Sequence, residues 1–122
     1  MLKRENRLKS KRAYKATYCN NNTTSDDLII LYAGKPKEDK NCPTRVGFVV
    51  SKKVHKRATK RNRIKRLIRE NIRLMIKNNE LTELSNYQSL IFMAKQKALD
   101  KDFEEIRNTI LILMDKIANK KL

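Results

Sequence analysis

From Arg61 to Ile76 the chain reads RNRIKRLIRENIRLMI, and no other stretch leaves it so little choice of structure. At about 100° per residue with Arg61 as zero, Ile64, Leu67, Ile68, Leu74 and Met75 fall between roughly 220° and 340°, with Ile72 just past that edge. That apolar stripe has to be buried, so the stretch is a helix laid against a core. The opposite arc carries Arg61, Lys65, Arg69, Asn62, Arg73 and Arg66 in angular order, with Arg63 on its far flank and only Glu70 opposing them. A solvated helix face usually mixes signs, because like charges at i,i+4 spacing repel. Arg61, Lys65, Arg69 and Arg73 are such a series, which costs stability unless a polyanion neutralises it.

The charge of the whole chain agrees. Its 122 residues include 30 Lys and Arg against 13 Asp and Glu, a net charge of +17. At this length one core and one domain, 1–122, are expected. With 39% hydrophobic residues the chain can fold, so the excess reads as a footprint for nucleic acid. A membrane surface is the weaker partner: there is no Trp, the apolar stripe is needed for the core, and no run is long enough to span a bilayer. The first residues, Met1 to Arg7, lack the apolar segment of a secretory signal, and a cytoplasmic location is expected. Cys19 and Cys42 stand far apart with a single histidine, His55, which assembles neither a zinc site nor a disulfide framework and predicts two free thiols.

In chain order, a basic arm leads to Ser10, an N-cap for a short helix in which Tyr14 and Tyr18 are i,i+4 neighbours. Such a pair packs in a core or, beside Arg12 and Lys15, offers rings on which single-stranded nucleic acid stacks. Residues 20–27 read as a polar loop with room for a short edge strand. Leu28 to Ala33 is a buried strand in which Tyr32 shares a face with Leu28 and Ile30. A turn region from Gly34 to Asn41 leads to a second strand, Arg45 to Ser51, and the turn predicts that these two strands pair antiparallel. The strand ends on Ser51, Lys52 and Lys53. The long helix over about 58–77 follows, then a third major strand, Tyr87 to Ala94. A last helix is opened by Asp100 or Asp102, the latter with Glu105 forming a capping box. Its stripe of Phe103, Ile106, Ile110, Leu113, Met114 and Ile117 is core. Helix, two strands, helix, strand, helix predicts an α/β sandwich with a groove between the first helix and the sheet, bordered by Tyr14, Tyr18, Tyr32 and the Ser51–Lys53 edge.

Arg45-Val46-Gly47-Phe48-Val49-Val50-Ser51-Lys52-Lys53, followed by Arg61-Asn62-Arg63-Ile64-Lys65-Arg66-Leu67-Ile68-Arg69-Glu70, closely resembles the bacterial ribonuclease P protein subunit and its RNR signature. Asn6-Arg7-Leu8-Lys9 resembles that family's N-terminal opening, and Leu90 to Lys95 its last strand. The resemblance implies an α+β sandwich like the second domain of ribosomal protein S5, with a small, mostly antiparallel sheet. It also implies that the RNR helix sits in a βαβ crossover of left-handed sense, where the general rule predicts a right-handed one. It further implies a monomeric protein joined to a catalytic RNA, one per RNA, in a complex that removes the 5′ leader of precursor tRNA. The chemistry then belongs to the RNA and its Mg²⁺, with no catalytic residue or metal ligand in the protein. On the resemblance, Tyr14, Tyr18 and Tyr32 line a cleft for the leader, where many members carry Phe at the first two positions. Ser51, Lys52 and Lys53 match its edge, and Arg61, Asn62, Arg63, Lys65, Arg66 and Arg69 match the signature, with Arg73 extending the same face. Besides the membrane surface, two rivals are weighed on the residues, and the second fails on inventory. Another RNA-binding module would share the charge, and a protein-only nuclease would need clustered carboxylates or a histidine pair, which the scattered acids and lone His55 do not supply.

Overall fold

Ser10 opens the first helix as expected: in the computed structural model, which describes residues 6–39, 42–50, 53–78 and 86–119, its Oγ accepts the Ala13 N–H. Helix α1 spans Lys11–Cys19. Strands β1 (Asn22–Ser25), β2 (Ile29–Ala33) and β3 (Arg45–Val50) follow, then helix α2 (Ala58–Lys77) and strand β4 (Ser89–Ala94). A short 3-10 turn over Gln96–Asp100 leads into helix α3, Phe103–Ala118. Asp102 and Glu105 close the capping box at the start of α3. The polar segment after α1 does form an edge strand. Beyond it, Oδ1 of Asp26 accepts the N–H groups of Leu28 and Ile29, which turns the chain from β1 into β2.

The sheet order is β1-β2-β4-β3, and this corrects the expected pairing of the strands at 28–33 and 45–51. They do not pair with each other. β4 lies between them, antiparallel to β2 and parallel to β3. The reason lies in β4, whose Leu90, Ile91, Phe92 and Ala94 are all buried, so that apolar side chains leave on both faces. Such a strand gains most from the centre, where both its edges are hydrogen-bonded and both its faces covered. The long connection after β2 holds Pro36 and Pro43, and its first part keeps pairing with the segment ahead of β4 rather than turning back. Gly34 N–H donates to Ser89 O, and Gln88 N–H to Lys35 O. β3, α2 and β4 therefore make a βαβ unit, and the remaining pairs are antiparallel, as the family resemblance implies.

Alternation along the strands divides the sheet into two faces. One carries Ile29, Leu31, Ala33, Val46, Val50, Leu90, Phe92 and Ala94, and packs on Ile64, Ile68, Ile72 and Met75 of α2 and Ile106, Ile110, Leu113, Met114 and Ile117 of α3. The buried arc of α2 is turned from its expected position. Ile72 is fully buried and Asn71 lies among the apolar residues, while Leu67 and Leu74 are only partly covered. The cause is that α2 rests on α3 as well as on the sheet. The Asn71 Nδ2 donates to Leu67 O and to Phe103 O across that contact, which makes a polar residue tolerable there. The other face carries Ile30, Tyr32, Gly47, Val49, Ser89, Ile91 and Met93, and α1 covers only part of it.

A candidate RNA-binding face

Helix α1 presents Tyr14, Thr17 and Tyr18 to the sheet. Thr17 is buried, its Oγ1 within 2.5 Å of Ser89 Oγ on β4, and this anchors the helix. Tyr14 lies over β3, so close to Gly47 that a Cβ there would stand 2.5 Å from the tyrosine hydroxyl. Tyr18 meets Tyr32 of β2 edge to face, ring centres 4.7 Å apart, and Tyr14 and Tyr18 are 6.4 Å apart. The three rings that the sequence singled out are thus brought into one row, half-buried, each with surface left for a ligand. Beside them Ile30, Met93 and Val49 lie in register across β2, β4 and β3 and are likewise only partly covered. Together they form an apolar floor next to an aromatic wall.

Burial raises the phenols of Tyr14 and Tyr18 above the usual tyrosine value. For Tyr14 a backbone hydrogen bond with Phe48 offsets part of that rise. For Tyr18 the neighbouring Tyr32 and Tyr14 add to it, since a second phenolate beside the first is unfavourable. Both rings stay neutral through the physiological range, which suits stacking on bases.

At the β3 edge the row opens into a concavity of about 370 Å³ lined by Arg7, Lys9, Tyr14, Phe48, Lys65 and Arg69, among others. Four cations and two rings meet there. Arg69 stands over Phe48 at 5.8 Å, and Phe48 stacks on Phe92 beneath it. The helical wheel predicted Lys65 and Arg69; it gave no indication of Phe48, Arg7 or Lys9. Their signals were the strand period, which turns Phe48 toward α2, and the pairing of the N-terminal segment with β3, seen in the Arg7–Val46 bridge and in the Leu8 N–H donated to Val46 O.

The rest of the basic arc is less uniform than the sequence suggests. Asn62 and Arg66 are exposed. Arg61 is half-buried, and its Nε has no hydrogen-bond partner. Arg63 points to the opposite flank, where Nη1 donates to Leu99 O at 3.0 Å and Nη2 to Lys101 O at 3.3 Å. Arg73 corrects the expectation of a row of unopposed cations: its Nε and Nη2 both donate to Oε1 of Glu70, at 2.8 and 2.6 Å. The bond holds the Glu70 carboxyl below the ordinary glutamate range. One turn of helix therefore supplies its own counterion. Ser51 and Lys52 lie outside the described residues. Lys53 lines a separate concavity of about 570 Å³ with His55, Lys56, Arg57 and Lys60, where β3 hands over to α2. Both cysteines are free and exposed.

A family model described as Ribonuclease P matches residues 2–118. The ribonuclease P protein component of Clostridium kluyveri is 36% identical over 90% of this chain and 92% of its own length. That of Alkaliphilus oremlandii is 34% identical over 95% of this chain and 94% of its own. Among solved structures, the RNase P protein of Staphylococcus aureus superposes with a TM-score of 0.74 at 27% identity, covering 100% of this chain and 98% of that one. The RNase P protein of Thermotoga maritima shares the fold at a TM-score of 0.72 and 22% identity, over 90% of this chain and 96% of its own. With a cationic helix, an aromatic row and this coverage in agreement, the chain belongs to the ribonuclease P protein family.

Proposed function

We infer that the protein is the RNA-binding subunit of a ribonuclease P ribonucleoprotein, the endoribonuclease that removes the 5′ leader from precursor tRNA. The single observation that carries this is the meeting of two chemistries on one side of the sheet. Cations that neutralise phosphates, Lys65 and Arg69, border a row of neutral rings, Tyr14, Tyr18 and Tyr32, that suits unpaired bases. A duplex-binding surface needs the first and has little use for the second. Arg61, Asn62 and Arg66 extend the cationic surface toward the catalytic RNA, while Arg63 and Arg73 share their donors with the protein itself. By their match to the family pattern Ser51, Lys52 and Lys53 are assigned to the edge of the leader cleft, with the Lys53 side chain itself lining the separate concavity at the start of α2.

Hydrolysis in this reading is the work of the RNA and its Mg²⁺, and no residue of the chain acts as acid, base or nucleophile. In this reading the ion is coordinated by RNA oxygens, hard ligands of the kind Mg²⁺ prefers. The protein's part is to orient the leader and to lower repulsion between two polyanions. It acts in the cytoplasm as a monomer, one per catalytic RNA. No helix among the described residues is long and apolar enough to cross a membrane.

The test is cleavage of precursor tRNA by a bacterial catalytic RNA at low Mg²⁺, with and without the purified chain. Stimulated turnover and tighter binding of precursor than of mature tRNA are expected. Unchanged turnover with equal affinity for both tRNAs would overturn the reading.

A further inference from the structure

The chain has only two glycines, one against Tyr14 of α1 and one against Ser89, which itself pairs with Thr17 of α1. Neither has a positive φ, so backbone conformation does not demand them. Close approach does. At Gly47 a Cβ would meet Tyr14 at its hydroxyl (2.5 Å), Cζ (2.7 Å) and Cε1 (2.8 Å), contacts that no real Cβ makes. At Gly34 a Cβ would run into Ser89 Oγ, the atom paired with Thr17 of α1. Glycine inside a strand weakens it, and β3 carries that weakness at a buried position.

We propose that Gly47 is a positioning residue for leader recognition: by leaving its place on β3 empty, it lets the tip of the Tyr14 ring close onto the strand and so fixes where the first unpaired base stacks. The remainder of the local geometry is consistent with a seat rather than a chance contact. The contact involves the tip of the ring, its hydroxyl, Cζ and Cε1, and the Phe48 backbone, the residue after the glycine, offsets part of the rise that burial gives the Tyr14 phenol, so ring and strand meet at adjoining positions. Tyr14 also lies where the aromatic row joins the cationic concavity, which is lined by Gly47 itself together with Arg7, Lys9, Lys65 and Arg69. A ring lifted by a methyl group would move relative to Tyr18 on one side and to the cations on the other. A base stacked on it would then lose its register with its own phosphate. The remaining rings, Tyr18 and Tyr32, are held by each other and would not follow.

The inference rests on the leader reading above, and its test separates the two. Gly47→Ala, Tyr14→Ala and the double variant are each assembled with the catalytic RNA, and the affinity ratio of precursor to mature tRNA is measured. Tyr14→Ala should lower the ratio about five-fold or more, the loss of one base–aromatic stack. Gly47→Ala should do the same while leaving mature-tRNA affinity unchanged, and the double variant should match Tyr14→Ala, because the added methyl no longer meets a ring. The double variant has room for the methyl and carries the decision even if Gly47→Ala alone does not fold. A wild-type ratio in Gly47→Ala, or a double variant worse than Tyr14→Ala, would overturn the seat. A wild-type ratio in Tyr14→Ala would instead overturn the leader reading.

Discussion

Arg63 and Arg66 are both signature arginines three residues apart, yet the structure gives them different surroundings, and replacing each by Ala should separate them. Arg63 donates to two carbonyls, Leu99 O and Lys101 O, that close the 3-10 turn ahead of α3. A hydrogen bond from a charged donor contributes about 1.5 to 3 kcal/mol when buried. Arg63 is exposed, so screening and side-chain entropy reduce each bond to roughly 0.5 kcal/mol and the pair to about 1 kcal/mol. With an unfolding entropy of about 2.1 cal/mol/K per residue, a 122-residue chain loses about 4 °C of Tm for each kcal/mol. Arg63→Ala should therefore melt about 4 °C lower, whereas Arg66→Ala, at an exposed position, should melt within about 2 °C of the parent. The salt dependence of catalytic-RNA binding should show the reverse: a slope shallower by about one phosphate equivalent for Arg66→Ala and nearly unchanged for Arg63→Ala. Thermal melts by circular dichroism and binding titrations at several salt concentrations measure both. An Arg63→Ala protein with unchanged Tm and a shallower slope would refute the assignment, since the carbonyl contacts would then contribute nothing and the guanidinium would be meeting RNA.

Glu70→Gln should release Arg73 and steepen the same salt slope by about one phosphate equivalent. The parent's Glu70 carboxyl is depressed in the folded state, so its stabilisation is present above about pH 4.3 and lost as pH falls through the folded value; the difference in Tm between parent and variant should shrink accordingly. At the alkaline end, Tyr14 and Tyr18 have raised phenols. Their neutral forms are favoured by folding, and stability should fall from about pH 10 upward as the unfolded chain ionises first. Phenolate absorbance should show Tyr14→Phe and Tyr18→Phe each removing a late-titrating group. Tyr18→Ala should weaken precursor tRNA about five-fold or more relative to mature tRNA, and equal losses for both in competition binding would count against the aromatic row. Asp102→Ala, which opens the capping box of α3, should cost about 1 kcal/mol and lower Tm by about 4 °C without touching RNA binding.

The parts of the fold legible in the sequence were those written by local period and local chemistry. The 3.6-residue stripe placed α2, Ser10 and Asp102 placed the starts of α1 and α3, and i,i+4 spacing put Tyr14 beside Tyr18. What escaped was long-range. The pairing of β4 with both β2 and β3 is set by competition for a central strand, which no short window reveals. The carbonyl partners of Arg63 lie 36 and 38 residues away, and a helical wheel has no means of showing them. Asn71 lies among the apolar residues of α2, and its tolerance there depends on Phe103 O from a different helix. The aromatic row needed Tyr32 to arrive from another element, and the family pattern supplied what spacing alone left open. Phe48 was read as a strand residue, and its meeting with Arg69 follows only once β3 is known to form the edge next to α2.

The central position of β4 also bears on how this protein is made. Every residue proposed to meet RNA lies at or before Arg73, whereas β4 begins at Ser89. As the chain leaves the ribosome, β2 and β3 emerge with no partner for their facing edges and wait for a strand translated later. A polypeptide cut after α2 would hold the complete set of contact residues and remain an unfolded polycation. Recognition is encoded early and the frame that makes it selective comes late, so nascent chains should need shielding from RNA until the last third is synthesised.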